Sequence, residues 1–250
     1  EKNGVIVDSP KCVAESSDLI ITCVKDADVV KDILFRQDGV IAGKHDDMTI
    51  ADMSTINPID AKEISKKIHE QGIKSLEIPV MGGPNVAIDG KLVLMASGDK
   101  EMYERYMQVF ETIATKTFFL GESGSAHSIK LAMNLQISLL ALSLSEGITL
   151  TKKAGFDPEK FLEILNSTYF STGMSQKKAY KMIKDEYQPT FTLKNMKKDL
   201  DIITQAAKDF GAILPMAERA NKIYSEALEA GLGEIDYTGI LAHIKKNSGD

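Results

Sequence analysis

A change of pattern near residue 122 limits the possible folds more than any other feature of the sequence. Before it, short apolar runs alternate with amphipathic stretches, and residues 19–24 form a run rich in β-branched residues, as expected for a strand buried on both faces. Further strands are predicted at 48–53, 73–78, 91–96 and 116–120, with helices at 27–35, 58–71 and 100–113 between them. This alternation predicts an open, mostly parallel sheet with helices on both faces.

After this point the sequence predicts helices alone. They are expected at about 125–154, 158–166, 172–183, 192–210, 215–231 and 235–246. The first is the longest and is apolar nearly all round, which is typical of a helix surrounded by others. We therefore predict an α/β domain over residues 1–122 and an all-α domain over residues 123–250.

Composition and charge narrow the class of protein. A hydrophobic content of 43% and a charged content of 26% are typical of a soluble globular protein. The net charge of −6 argues against nucleic acid or an anionic membrane as the main partner. The uncharged apolar run at 131–145 is shorter than the roughly 20 residues that a membrane span needs. Cys12 and Cys23 have neither metal-ligand nor disulfide spacing, and with no signal peptide they favour the cytoplasm.

The most informative motif begins the long helix. A glycine-bearing turn at 121–124 leads to His127, Lys130 and Asn134, whose spacing of i, i+3 and i+7 places them on one helical face. A lysine partly withdrawn from water is suited to exchange a proton with an alkoxide, and a nearby asparagine can orient a hydroxyl group. The alternative is a solvated lysine near a helix N-terminus, and the spacing alone slightly favours it.

A second motif joins two predicted strands. Met81, Gly82 and Gly83 follow a strand end, where paired glycines leave backbone N–H groups free to approach an anion. A purely structural turn is equally consistent with these residues.

Two further polar segments have simple structural interpretations. The hydroxyl groups of Ser54 and Thr55 lie at a strand end, where they could face a ligand, although capping of the helix at Pro58 is favoured. Lys198 belongs to a charged run that a solvated helix face would explain. The remaining histidines, which show no metal spacing, are expected at the surface; they are His45, His69 and His243.

Taken together and in this order, the four segments resemble the β-hydroxyacid dehydrogenases, the family of 3-hydroxyisobutyrate dehydrogenase and the glyoxylate/succinic semialdehyde reductases. The family's loop, roughly D-x-P-V-S-G-G-x-x-x-A-x-x-G, is matched by Pro79, Val80, Gly82, Gly83, Ala87 and Gly90. Its stretch G-x-x-G-x-G-x-x-x-K-x-x-x-N is matched by Gly121, Gly124, Lys130 and Asn134. Its F-x(6)-K-D-L stretch is matched by Phe191, Lys198, Asp199 and Leu200.

The resemblance implies an NAD- or NADP-dependent oxidoreductase that interconverts a small 3-hydroxy acid and its semialdehyde. It implies that Lys130 is the catalytic acid/base. The residues expected to bind the carboxylic-acid substrate are Met81, Gly82, Gly83, His127 and Asn134. Those expected to contact the cofactor are Val24, Lys25, Thr55 and Lys198, and no metal is expected.

Several positions depart from the family pattern. The sequence contains no G-x-G-x-x-G turn, so the Rossmann-type domain is expected to be N-terminally incomplete by roughly 40 residues and to lack the pyrophosphate site. Met81 replaces a serine that usually binds the substrate carboxylate, which suggests a different or more apolar acid. Ala126 replaces a glycine, while His127 and Asn195 replace an amide residue and a leucine.

Other functions compatible with the sequence are a non-catalytic, oligomeric scaffold of the same fold, or a reductase of a related oxo acid, imine or phosphorylated sugar. The presence of both Lys130 and Asn134 argues against a scaffold. The long apolar helix suggests more apolar surface than one subunit covers, so a homodimer or homotetramer is expected.

Overall fold

The computed structural model describes residues 4–249. The chain forms two compact units, Glu1–Leu131 and Ala132–Asp250. The division lies inside one long helix, α7 (Ser125–Lys153), whereas the sequence pattern changes just before that helix. The domain boundary near residue 122 therefore stays a prediction.

The first unit is built on a six-stranded sheet. Its strands are β1 (Leu19–Thr22), β2 (Thr49–Asp52), β3 (Lys74–Glu77), β4 (Val80–Met81), β5 (Leu92–Gly98) and β6 (Ala114–Phe119). They lie in the order β1-β2-β3-β5-β4, with β6 also paired to β5. The first three strands are parallel, β5 is antiparallel to β3 and β4, and β6 is parallel to β5.

Helices cover both faces of this sheet, as predicted. They are α1 (Pro10–Ala14), α2 (Ala27–Phe35), α3 (Pro58–His69), α4 (Pro84–Ile88), α5 (Lys100–Arg105), α6 (Met107–Ile113) and the 3₁₀ turn Val40–Gly43. On one face Ile50 packs in a cluster with Leu34 and Ile64 from α2 and α3. On the other face Ala51 belongs to a cluster with Phe110 from α6. Since successive strand residues point to opposite faces, both sides of β2 are buried.

The first unit differs from the prediction in one strand and in one helix. The strand β4 was not predicted, and the chain returns from it through α4 to an antiparallel β5. A parallel return needs a crossover of a dozen or more residues, and the segment between Met81 and Leu92 is too short for one. The helix expected over 100–113 is divided at Tyr106, whose ψ of 12° is not helical.

The second unit is helical, and the prediction of an all-α C-terminal part is confirmed. After α7 its helices are α8 (Pro158–Asn166), α9 (Gly173–Lys177), α10 (Ala179–Ile183), α11 (Leu193–Phe210), α12 (Pro215–Glu229), the 3₁₀ turn Tyr237–Gly239 and α13 (Ile240–Asn247). The single helix predicted over 172–183 is divided at Lys178. Ile148, Leu162, Met182 and Leu241 form the centre of one hydrophobic cluster.

A buried carboxylate connects the loops of the second unit. Asp236 is 3% exposed, and it accepts hydrogen bonds from the Lys178 Nζ (3.0 Å), the Thr190 backbone N–H (3.0 Å) and the Thr238 hydroxyl (2.7 Å). Burial alone would raise the pKa of Asp236, but these hydrogen bonds and the Lys178 charge outweigh it and lower the pKa. The Lys178 ammonium also lies 4.3 Å from the centre of the Tyr237 ring.

The surface position expected for His243 is wrong. This histidine on α13 is only 6% exposed, and its Nε2 lies 3.1 Å from the Asn247 amide nitrogen. The polar neighbours that suggested a surface position, Lys245 and Lys246, follow it at spacings that place them on other sides of the helix.

The helix α7 is long and apolar enough, by length and composition alone, to cross a membrane. The core helices of soluble proteins also meet this criterion, so it is weak evidence. Of the most apolar window of α7, 44% is buried inside the protein. The expected absence of a membrane partner stays a prediction.

Candidate active site

Lys130 lies in the second turn of α7, and its head group is fixed against β4. The Nζ atom donates a hydrogen bond to the Val80 carbonyl (2.7 Å) and lies 3.3 Å from the Met81 sulfur. The side chain is partly buried. The structure therefore brings together two of the predicted site residues, Lys130 and Met81, in one place within the first unit.

The paired glycines continue directly from this contact. Gly82 has a φ of +132°, and a Cβ there would lie 2.7 Å from a Leu92 methyl carbon and 2.9 Å from a Val86 methyl carbon. Gly83 precedes α4 with a φ of −88°, and a Cβ there would meet nothing within 4 Å. The exposed backbone around both residues lets a ligand approach the main chain closely.

Gly82→Ala is expected to lower the free energy of unfolding by about 1–3 kcal/mol, because its backbone conformation is strained for any residue with a side chain. Gly83→Ala is the matched control and is expected to change stability by less than about 1 kcal/mol. Urea-induced unfolding of both variants measures the difference. Equal stability of the two variants would show that the backbone conformation at Gly82 does not require glycine.

His127, in the first turn of α7, lies in the interior of the first unit. It is fully buried, its Nδ1 lies 2.9 Å from a Glu77 carboxylate oxygen, and its Nε2 lies 3.1 Å from the Ser54 carbonyl oxygen. Because both ring nitrogens face protein groups at hydrogen-bond distance, the ring has no polar atom left for a ligand. This burial argues against the predicted contact between His127 and the substrate.

Glu77 is the centre of the hydrogen-bond network around this histidine. It is 5% exposed and accepts hydrogen bonds from the Ser97 hydroxyl (2.8 Å), the Ser123 hydroxyl and the Gly124 backbone N–H (2.6 Å). Burial alone would raise the pKa of Glu77, but its interactions with His127 and its hydrogen bonds from Ser123 and Ser97 lower it. Glu77 is therefore held as a carboxylate that joins β3, β5 and the start of α7.

The carboxyl ends of β1 and β2 meet beside the predicted cofactor residues. The Val24 backbone N–H donates to the Ser54 hydroxyl (2.9 Å), which connects the end of β1 to the loop that carries Thr55. The Lys25 ammonium lies 3.4 Å from the Asp26 carboxylate. The helix cap favoured for Ser54 is instead supplied by Asn57, which accepts from the Ile59 N–H at 2.9 Å.

A cavity of about 520 Å³ lies along β1 in the first unit. Its lining is mainly apolar and includes Ile20, Thr22, Cys23, Val24 and Ile33. The cavity thus reaches Val24, one of the residues expected to contact the cofactor. Among residues 4–249, no group of three or more histidine, cysteine, aspartate or glutamate side chains could hold a metal ion.

In the second unit, the predicted residues Asn134 and Lys198 share one partner. The Asn134 Nδ2 donates to one Asp199 oxygen at 2.6 Å, and the Lys198 ammonium lies 2.9 Å from the other. Asp199 is 1% exposed and Asn134 is 4% exposed, while the Lys198 side chain is 23% exposed. The roles of Asn134 toward a substrate and of Lys198 toward a cofactor stay predictions.

The carboxylates of Glu77 and Asp199 were not predicted as site residues. Asp199 follows Met196, Lys197 and Lys198 in a charged run. Nothing in that run indicates that its side chain is buried and not exposed to solvent. Glu77 had a usable signal, because it lies between the apolar residues Leu76 and Ile78 in a predicted strand, where a charge is seldom left without a partner. Its partner His127 lies 50 residues away, so the pair could not be read from the sequence.

Two family models together cover nearly all of the chain. Residues 1–121 match the NAD-binding domain of 6-phosphogluconate dehydrogenase, and residues 124–244 match the NAD-binding domain of NADP-dependent 3-hydroxyisobutyrate dehydrogenase. The chain belongs to the β-hydroxyacid dehydrogenase family. The predicted family and the Rossmann-type fold class are therefore confirmed, and the cofactor of the family is NAD or NADP.

Two known proteins are similar to nearly the whole of this chain. Glyoxylate/succinic semialdehyde reductase 2, chloroplastic, of Arabidopsis thaliana is 30% identical over 95% of this chain and 66% of its own length. The cytokine-like nuclear factor N-PAC of Aedes aegypti is 28% identical over 96% of this chain and 43% of its own length. The chain thus spans less than two thirds of both relatives.

The fold is also that of a solved dehydrogenase. The crystal structure of 3-hydroxyisobutyrate dehydrogenase from Salmonella typhimurium superposes with a TM-score of 0.84, covering 94% of this chain and 82% of that one at 24% identity. At this identity the similarity shows a shared fold alone.

The described residues of this β-hydroxyacid dehydrogenase fit part of a nicotinamide dinucleotide. Three parallel strands, β1 to β3, end side by side, and ligands of open α/β sheets bind beyond such carboxyl ends. The cavity at Val24 and the loop at Thr55 lie at two of these ends. The contacts of Val24, Lys25 and Thr55 with a cofactor stay predictions.

Proposed function

We propose that this protein is an NAD(P)-dependent oxidoreductase that interconverts a small 3-hydroxy acid and its semialdehyde, with Lys130 as the acid/base. The observation that carries the proposal is the position of the Lys130 Nζ, 2.7 Å from the Val80 carbonyl at the start of the glycine loop. This hydrogen bond fixes the ammonium group of the lysine beside the exposed backbone of Gly82 and Gly83.

The proposed chemistry assigns separate tasks to the loop and to the lysine. The exposed backbone at Gly82 and Gly83 would hold the carboxylate of the substrate, as paired glycines can for an anion. Lys130 would donate a proton to the carbonyl oxygen as the aldehyde is reduced and take it back in the reverse direction. A nicotinamide dinucleotide, when bound, would supply or accept the hydride.

The substrate class follows from the residue beside the lysine. The Met81 sulfur, 3.3 Å from the Lys130 Nζ, gives this end of the loop an apolar and polarisable surface without a hydroxyl group. The relative named glyoxylate/succinic semialdehyde reductase supports a short acid that carries an aldehyde group. We therefore propose a semialdehyde acid whose carbon chain offers an apolar surface to Met81.

A panel of aldehydes tests this proposal by the loss of NADH or NADPH absorbance. Glyoxylate, succinic semialdehyde and methyl-substituted semialdehyde acids are expected to react, with the last favoured. Matched aldehydes without a carboxylate are expected to have a kcat/KM lower by at least about 10²-fold, since a site built for a charged group rejects analogues that lack it. Equal rates for acids and plain aldehydes would contradict the proposal.

The second candidate function is a non-catalytic binding protein of the same fold. The similarity to nuclear factors named N-PAC favours it, because those names describe no enzyme. The same panel separates the two functions: binding of NADPH by calorimetry with no turnover of any aldehyde would support the binding protein.

A further inference from the structure

The buried histidine of the first unit has an unusual set of partners. The Nδ1 of His127 faces the Glu77 carboxylate at 2.9 Å, and its Nε2 faces the Ser54 carbonyl oxygen at 3.1 Å. A carbonyl oxygen can only accept a hydrogen bond, and an ionised carboxylate can only accept as well. A neutral imidazole has one N–H, so it satisfies one of these contacts and sets two lone pairs against each other in the second.

The surroundings of the ring favour a positive charge. Glu77 accepts from Ser97, Ser123 and the Gly124 N–H in addition to facing the histidine, and its lowered pKa keeps it a carboxylate that can only accept. A second buried carboxylate, Asp52, lies with one oxygen 3.8 Å from the Nε2 of His127. The other Asp52 oxygen accepts from the Thr22 and Ser54 hydroxyls, whereas this one makes no hydrogen bond within the described structure and faces the ring.

We propose that His127 is held as an imidazolium ion and acts as a positioning residue for Lys130 and Thr55. The ring ties the loop after β2, at Ser54, to the end of β3, at Glu77. Thr55 follows Ser54 directly, and Lys130 lies one helical turn beyond the histidine.

The Glu77 carboxylate contacts the start of α7, which carries Lys130, and lies on the strand that leads to the carbonyl group that binds Lys130. Glu77 binds the first turn of α7 through the Gly124 N–H and His127, and it lies three residues before Val80, whose carbonyl accepts from Lys130. Loss of the imidazolium would release the helix start from the strand ends and shift Lys130 relative to the glycine loop. The effect on catalysis rests on the proposed function, whereas the charge of the ring does not.

The charge is tested by ¹⁵N NMR of the imidazole nitrogens at pH 7.5 in the whole protein. The sequence has four histidines, so His127→Gln identifies the signals of this ring by their disappearance. We expect both nitrogens of His127 to show the shifts of protonated nitrogens. A neutral ring, with one nitrogen unprotonated, would overturn the proposal whether or not the protein is an enzyme.

The positioning role is tested by a double-mutant cycle with Lys130. His127→Gln preserves much of the size of the ring but can donate toward only one of its two partners, and it is expected to lower kcat/KM by about 10- to 100-fold, as small misplacements of a reacting group do. In the Lys130→Ala background the same change is expected to cost less than about twofold, because the residue acts through the lysine.

A merely structural role would lower the activity by the same factor in both backgrounds, and that result would overturn the positioning role. Glu77→Gln provides the matched change on the other side of the pair, and His127→Gln and Glu77→Gln are expected to be strongly non-additive. If Lys130→Ala itself leaves turnover unchanged, the proposed function fails, and the NMR result still decides the charge of the ring.

Discussion

Lys130→Ala is expected to lower kcat/KM for a semialdehyde acid by about 10²- to 10⁴-fold, the usual contribution of a general acid. Lys130→Arg is expected to be almost as impaired, because arginine keeps the positive charge but does not release its proton at neutral pH. The rate of NADPH oxidation under substrate-limited conditions measures both effects.

Two controls separate proton transfer from a loss of structure. Lys91→Ala removes an exposed lysine that pairs with Asp89, near the glycine loop, and turnover is expected to stay within a few-fold of the wild type. Small primary amines added to the Lys130→Ala protein are expected to restore part of the rate, since they can supply the missing proton. Turnover by Lys130→Ala within a few-fold of the wild type would refute the acid/base role.

Asp236→Ala is expected to lower the free energy of unfolding of the second unit by about 3–5 kcal/mol, as is typical when one partner of a buried charged pair is removed. The change leaves the Lys178 ammonium and the Thr190 and Thr238 donors without their common acceptor. Glu234→Gln, two residues away, removes an exposed ion pair with Lys194 and is expected to cost less than about 1 kcal/mol. Urea-induced unfolding followed by circular dichroism compares the two variants. Equal losses in the free energy of unfolding would show that the buried ion pair of Asp236 contributes no more than the exposed one of Glu234.

The stabilisation of the fold by the Asp236 carboxylate is expected to be weaker at acid pH than at neutral pH. The pKa of Asp236 is lower in the folded protein than in the unfolded chain, so its carboxylate stabilises the fold at neutral pH. That contribution is lost as the pH falls below the unfolded value of about 3.9 and through the folded pKa. The stability difference between the wild type and Asp236→Asn is therefore expected to be largest near pH 7 and to shrink in acid. A constant difference between pH 7 and pH 3 would count against an ionised Asp236.

Local patterns accounted for much of the fold and for the position of Lys130. The cap at Asp26, the proline at the start of α3 and the length of α7 all lie within a few residues of their sequence signals. A turn followed by helical spacing also places Lys130 early in α7 without any knowledge of tertiary contacts. The cytoplasmic location and the self-association of the chain stay predictions.

Features that depend on distant contacts could not be predicted. The direction of β5 follows from the short return through α4, but the sequence alone did not show that β4 is a strand. The burial of His127 could not be predicted for a similar reason. The helix periodicity gives the side of α7 on which the ring lies, but it does not show that Glu77 and Ser54 enclose that side.

The strand order of the first unit has a consequence for how the chain folds. Each strand pairs with the next one along the chain or, between β3 and β5, with the next but one. The widest of these pairings joins residues about 30 positions apart, such as Leu19 and Thr49, so each one closes a loop much shorter than the unit. The sheet can therefore be assembled from neighbouring segments of the chain, without any pairing between its first and last strands.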